Sequence, residues 1–279
     1  MSTHEDQVSL LLKNLDRDRY YSSLVLNMET GSDVRVLYAF AAEVAQTRER
    51  ISEPAVGEIR LQYWQDLLSD SAHGQTEQNP LAHKLLGVID RYDLPTGPIR
   101  RLLAARRFDL YDDPMPDMAT FEGYAGETNS ILYQLATLIL NSGNDAAAAA
   151  AAGHMGVAHA LIGHLRSLPL TAARGQIYLP WAVFAEHGAS EADYLNAIPS
   201  PQIIAGCKQL HILAREHIKI ASEEIEKLDA RVRPVFAQMP ILMDQLAHLE
   251  KFEAVPFVTP PDLANWKKIA KVFWWSVRN

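Results

Sequence analysis

The chain of 279 residues has a formal net charge of −8, with 34 Asp and Glu against 26 Lys and Arg, and 48% of it is hydrophobic. That is the composition of a globular protein with a sizeable core. The negative balance excludes a nucleic-acid partner, because phosphate backbones are bound by clustered Lys and Arg. The single cysteine, Cys207, excludes an intramolecular disulfide and suits a reducing compartment.

Helical periodicity dominates from end to end. Val34, Leu37, Ala41, Val44 and Ile51 make one stripe, predicting a helix that starts at a Ser32 or Asp33 cap and runs to Ile51. After Pro54, Ile59, Tyr63, Asp66 and Leu67 keep helical spacing, and the segments LAHKLLGVIDRY and PIRRLLAARRFDLYDD follow on either side of a DLPTG turn. A long pattern over 120–141 stops at NSGND, and the alanine run over 146–152, a strong helix former, opens a helix through His164. Three more helices are predicted over 202–228, VFAQMPILMDQLAHLEKF and NWKKIAKVFWWSVRN. Prolines 54, 80, 95, 114, 169, 180 and 199 fall between patterns, and Pro240 is expected to kink its helix. Nothing alternates with period two, and no segment reads as a linker. Residues 1–279 are therefore read as one all-α domain. No apolar run is long enough to span a membrane and the acidic N-terminus lacks a secretory apolar core, so a cytoplasmic protein is expected.

Several polar groups invite a chemical role and do not earn one. Cys207 and His211 are four apart on a helix, but two ligands are too few for zinc, and both are read as buried spectators. His154, His159 and His164 recur every five residues, which turns them around a helix and makes no metal site. Ser22 and Ser23 have no partner base in the sequence. Asp109, Asp112 and Asp113 would share a helix face able to bind a divalent ion, though pairing with Arg106 and Arg107 ahead of Pro114 is the simpler reading. Glu43 has no Lys or Arg three or four residues away, so any ion pair must cross to another helix.

The segments LYAFAAEVAQTRERISEPAVGEIRLQYWQDLL, RRFDLYDD and ARGQIYLP occur in the order and spacing of the squalene/phytoene synthase family, which the chain resembles well over residues 16–185. The resemblance implies an isoprenoid-synthase-type helical bundle around a central cavity. The enzymes of that family join prenyl diphosphates using magnesium held by two aspartate-rich motifs on facing helices. Ionising an allylic diphosphate leaves a highly charged pyrophosphate, and hard oxygen ligands must hold the magnesium that neutralises it.

Aligned on Tyr38, Ala39 and Phe40, this sequence has Ala45, Gln46 and Glu49 where the first acids belong and Ala42 where an arginine is usual. Counted back from Pro180, Ser167, Leu170 and Thr171 occupy the second acidic positions and Gly163 that of an asparagine, while Arg166, Arg174, Gly175 and Tyr178 match. The resemblance thus implies a vestigial pocket of Ala45, Gln46, Glu49, Ser167 and Thr171 with neither catalytic residues nor metal. Arg166, Arg174 and Tyr178 are candidates to hold an anion such as a diphosphate or lipid headgroup, although Arg166 pairing with Glu43 or Glu49 and Arg174 capping the following loop is the favoured alternative.

The motifs AFAAEVAQ, ISEPAVGE and IRLQYW are closest to one branch, the mitochondrial complex I assembly factors of squalene/phytoene synthase type, whose members also lack the paired acids. That similarity implies a pseudoenzyme that acts in binding or assembly, with a protein partner at the inner membrane, an isoprenoid or anionic lipid as candidate ligand, and no cofactor. The competing reading is a prenyltransferase with divergent metal ligands, which would need magnesium.

The last helix carries an apolar stripe of Trp266, Ile269, Ala270, Phe273 and Val277, with Lys267, Lys268, Lys271 and Arg278 opposite and Trp274 and Trp275 between. Such a helix can lie on an anionic membrane, which would make contact with the inner membrane peripheral at most. The favoured expectation is that it closes the bundle with the stripe inward and the basic face in water.

Overall fold

The computed structural model describes residues 3–69 and 79–279, and every regular element in them is helical. Short polar side chains set the first helices. Helix α1 (Thr3–Leu15) passes into α2 (Arg17–Ser23) at Asp16, whose carboxylate accepts from the Arg19 amide at 2.9 Å. Asn27, rather than Ser32 or Asp33, caps α3 (Met28–Ala45) by accepting from the Thr30 amide at 3.0 Å. Asp33 sits buried inside the helix, where it accepts from Arg91 at 2.7 Å and from the Tyr92 hydroxyl at 2.8 Å.

Helix α3 does not reach Ile51. It stops at Ala45, and a 3-10 turn over Arg48–Arg50 leads to an extended Ile51. Pro54 opens α4 (Pro54–Leu67) and disfavours helical backbone in the residue before it, so Glu53 is extended and α3 must end upstream. Helix α5 (Pro80–Tyr92) ends on Asp93 in the left-handed region, and α6 (Thr96–Ala105) follows the extended Pro95. Asp109 lies in a 3-10 turn over Phe108–Leu110, and Asp112 and Asp113 lie beyond it with Pro114 following, so the three acids share no helix face.

The pattern predicted over 120–141 is α7 (Met118–Ala125) running through a π-helical turn, Gly126–Ser130, into α8 (Ile131–Leu140). Helices α9 (Ala149–Ala173) and α12 (Pro201–Ile225) are the long pair of the core, each about 37 Å at 1.5 Å per residue, and they pack side by side. Pro169 lies inside α9 rather than between helices, and α9 runs on past His164. Small residues on α9 allow close approach. A Cβ at Gly156 would stand 2.1 Å from Ser130 Oγ and 2.4 Å from the Ser130 amide nitrogen of the π turn.

Two short helices, α10 (Trp181–Glu186) and α11 (Glu191–Leu195), precede α12. Helix α13 (Met239–Lys251) carries Pro240 in its first turn instead of kinking there, because a proline in the first turn forfeits no intrahelical bond.

Helix α14 (Asn265–Arg278) reverses the favoured expectation. Lys268, not the apolar stripe, faces the bundle: its ammonium donates to Asp18 at 2.7 Å and Asp262 at 2.5 Å. Val272 is buried beside it against Ala237 and Ile241. Trp266, Ile269, Phe273, Trp274 and Val277 are all exposed. The ion pairs select the inward face because a lysine taken out of water needs carboxylates, and α2 and the preceding loop supply them. No helix among the described residues is long and apolar enough to cross a membrane.

Two predictions follow from this packing. Gly156→Ala forces backbone apart between α9 and the π turn and should lower the unfolding free energy by about 1–3 kcal/mol, the usual cost of overpacking, seen as a lower urea midpoint. Lys268→Ala leaves Asp18 without its cation and should cost about 3 kcal/mol, the low end for a broken buried pair, since Asp262 is half-exposed. A midpoint unchanged from wild type in either variant contradicts the corresponding contact.

Candidate functional site

The end of α3, the middle of α9 and the start of α2 meet around a cavity of about 260 Å³. One side is small and apolar, with Ala41, Ala42 and Ala45 from α3, Leu132 from α8, and Ala160 and Gly163 from α9. The other side is polar, with Asp16, Arg19, Arg106, Asn129, His159, His164 and Ser167. The chain was expected to face Ala45, Gln46, Glu49, Ser167 and Thr171 onto one pocket. Ala45 and Ser167 do line the cavity, as do Ala42 and Gly163. Gln46, Glu49 and Thr171 do not. Gln46 is the closing residue of α3, and Glu49 lies exposed in the turn beyond it. Thr171 is buried, with its hydroxyl bonded to the carbonyls of Ser167 and Leu168 within α9. The first turn of each aligned motif thus reaches the cavity and the second does not.

The candidate anion residues lie outside this lining as well. Arg166 pairs with Asp262 at 3.4 Å, not with Glu43 or Glu49, and Arg174 pairs with Glu49 at 3.3 Å across from the end of α3. The Tyr178 hydroxyl donates to the Asp109 carbonyl at 3.2 Å. Glu43 is half-buried; burial pushes its carboxyl up while Arg50 and Arg60, the latter on α4, hold it down. Of the other acids, Asp109 takes Arg106 at 2.9 Å, Asp112 takes Arg48 at 3.3 Å, and Arg107 turns to Glu58 instead.

Two arginines take the central place: Arg19, which the sequence did not single out, and Arg106, read there only as a partner of the nearby acids. Arg19 is buried, its guanidinium bonded to Asp16 at 3.2 Å and to Asn129 Oδ1 at 2.8 Å, with His159 Nδ1 at 3.5 Å. The rings of Tyr38 and Tyr133 stand 5.3 and 6.0 Å from it. The π turn matters here, since it is the element that carries Asn129. Arg106 donates to Asp109 and, at 2.8 Å, to the Tyr124 hydroxyl, while its Nε is buried with no hydrogen-bond partner. Their sequence signal is faint, because the partners of Arg19 lie 110 and 140 residues away.

The two cavity histidines are held neutral. Burial and then the Arg19 charge lower His159 well below its usual range, and burial and then Arg106 bring His164 down to about 4. His154 points elsewhere, its Nδ1 3.0 Å from His217 Nδ1. Cys207 and His211 are both buried, and burial pushes the thiol up to about 12.

Magnesium finds no suitable donor set here. Among the described residues Asp16 is the only carboxylate in the lining, and its two oxygens already accept from the Arg19 amide and guanidinium. Magnesium is held through hard carboxylate oxygens, which this lining does not gather. Among the described residues no group of three or more His, Cys, Asp or Glu could hold a metal ion.

The helical order and the cavity between α3 and α9 define a protein of the isoprenoid-synthase class, and the squalene/phytoene synthase family profile matches residues 12–268. The chain belongs to that family. NADH dehydrogenase (ubiquinone) complex I assembly factor 6 of Rattus norvegicus is 28% identical over 243 residues, 87% of this chain and 73% of that protein. The Homo sapiens counterpart gives the same values. The Drosophila melanogaster homolog is 25% identical and covers 96% of this chain and 82% of its own. Among solved structures, a dehydrosqualene synthase in complex with ligand superposes with a TM-score of 0.81 at 17% identity, over 99% of this chain and 97% of that one. A squalene synthase from Alicyclobacillus acidocaldarius gives 0.77 at 17% identity, over 91% and 95%. At such identity the likeness is one of fold.

Acid should loosen this site. A histidine whose folded pKa lies below its unfolded value of about 6.5 favours the folded state fully above 6.5, and that advantage is lost as pH falls toward the folded value. Stability should therefore drop between pH 6.5 and about 4 as the unfolded chain takes up protons that His164 does not. Urea midpoints across this window should fall less steeply in His164→Gln; an equal slope in both proteins contradicts the assignment.

Proposed function

We propose that this chain is a non-catalytic member of the squalene/phytoene synthase family that serves the assembly of respiratory complex I, using its cavity to bind and not to transform. The observation that carries the reading is the cavity lining itself: Ala42, Ala45, Gly163 and Ser167 stand at the motif positions that reach it, and its charged groups are Arg19, paired with the lining's Asp16, and Arg106, paired with Asp109 behind it. The relatives named as complex I assembly factors, at 28% identity over most of the chain, support the assembly role. A protein partner in that process belongs to the same proposal.

The cavity volume points the same way. About 260 Å³ is below the ~300–1,000 Å³ typical of small-molecule clefts, too little for two prenyl diphosphates side by side. It suits the head of one amphiphile, with an anionic group toward Arg19 and Arg106 and a chain along the alanine side. A prenyltransferase would instead need carboxylates to gather magnesium around a leaving pyrophosphate.

Deleting the gene in its host and measuring NADH:ubiquinone activity of the membranes tests the assembly role. The activity should fall severalfold and return on complementation; full activity in the deletion strain contradicts the proposal. Calorimetry with a prenyl diphosphate tests the cavity. Weak binding that survives EDTA and drops roughly tenfold in Arg106→Met, the loss of one charge-assisted contact, is expected. Binding abolished by EDTA would reveal a metal site and contradict it.

A further inference from the structure

Helix α14 is held to the protein by the face a surface helix normally keeps in water. At about 100° per residue, Lys268, Val272 and Trp275 fall in one narrow sector, and these are the residues that meet the bundle. Trp266, Ile269, Phe273 and Val277 are centred on the opposite side, and Trp274 extends the stripe at its edge. Trp266 is 67% exposed, Trp274 61%, Phe273 57% and Val277 63%. The stripe runs about 17 Å along the helix, from Trp266 to Val277.

Its border has one sign of charge. The helix has no acidic residue, although the whole chain is at −8. Lys267, Lys271 and Arg278 share a narrow strip beside Trp274 on the same projection. Lys271 also reaches Asp244 at 2.9 Å, and Lys267 lies over the Trp266 ring at 5.5 Å. Tryptophans with flanking cations suit a boundary that is apolar below and anionic above. A second copy is a poorer match. A two-fold contact must be self-complementary, and this surface would bring a cationic border against itself with no acid on the helix to offset it.

We propose that α14 is an interfacial docking element for an anionic lipid bilayer. The Trp266–Phe273–Val277 face enters the headgroup boundary, the basic strip meets lipid phosphates, and the Lys268 ion pairs hold the bundle on the aqueous side. The inference does not depend on the assembly role or on the contents of the cavity.

The test uses the full chain with phosphatidylcholine vesicles and with vesicles containing added phosphatidylglycerol. Co-sedimentation with the anionic vesicles should exceed that with neutral ones and weaken as salt is raised. Tryptophan emission should shift to the blue and be quenched by brominated acyl chains. Phe273→Ser combined with Trp274→Ser, both exposed positions, should reduce binding at least about tenfold while the thermal melt stays unchanged. Lys267→Glu combined with Arg278→Glu should reduce binding to the anionic vesicles alone. Protein left in the supernatant with both lipids overturns the proposal, as does serine-variant binding equal to wild type. A dimer detected by light scattering that the serine variant dissociates, without vesicle binding, assigns the face to a second copy and also overturns it.

Discussion

A guanidinium buried among packed helices has to be neutralised and fully bonded, and the centre of this protein is arranged around that requirement. Arg19 reaches inward from a helix of seven residues, and its charge is met by Asp16, the residue that caps the same helix. Asn129 comes to it from a π-helical turn, and two tyrosine rings stand nearby. His159 is held neutral beside it by its burial and then by the Arg19 charge. Breaking one member of such a set leaves the others buried without partners, which costs more than the pair itself is worth.

The same helices in an enzyme of this family would present carboxylates across the cavity. Here α3 ends before the second turn of the corresponding segment, and the one carboxylate in that stretch, Glu49, bonds Arg174 in solvent. Arg166 is likewise occupied outside the cavity by Asp262, which also receives Lys268 from α14. Asp262 thereby links α9, through Arg166, to α14, through Lys268. A shared fold at 17% identity carries no activity with it, and the site has to be argued from its own residues.

How much of this could be read beforehand differs by kind of signal. Long helices with persistent 3.6-residue periodicity were legible, and α12 falls nearly where its pattern places it. Of the residues assigned to the pocket by register, Ala45 and Ser167 line the cavity, joined there by Ala42 and Gly163. Glu49 and Thr171 were misplaced because register assumes that a helix continues, whereas α3 stops at Ala45 and Thr171 turns back onto its own helix. The local pairs Arg19–Asp16 and Arg106–Asp109 are three residues apart and within reach of sequence reasoning, but the cavity that the two arginines share assembles from distant parts of the chain. Amphipathic patterning showed that α14 has two faces but favoured the wrong one as inward; Asp18, 250 residues away, decides it by taking Lys268.

The central claim is that this cavity binds without ionising a prenyl diphosphate. Incubating the purified full chain with magnesium and farnesyl or geranylgeranyl diphosphate, and following pyrophosphate release, tests it most directly. The account predicts release at the rate of a protein-free control. Sustained, magnesium-dependent release that is lost in Arg19→Met or Arg106→Met would contradict it and return the chain to the enzymes of its family.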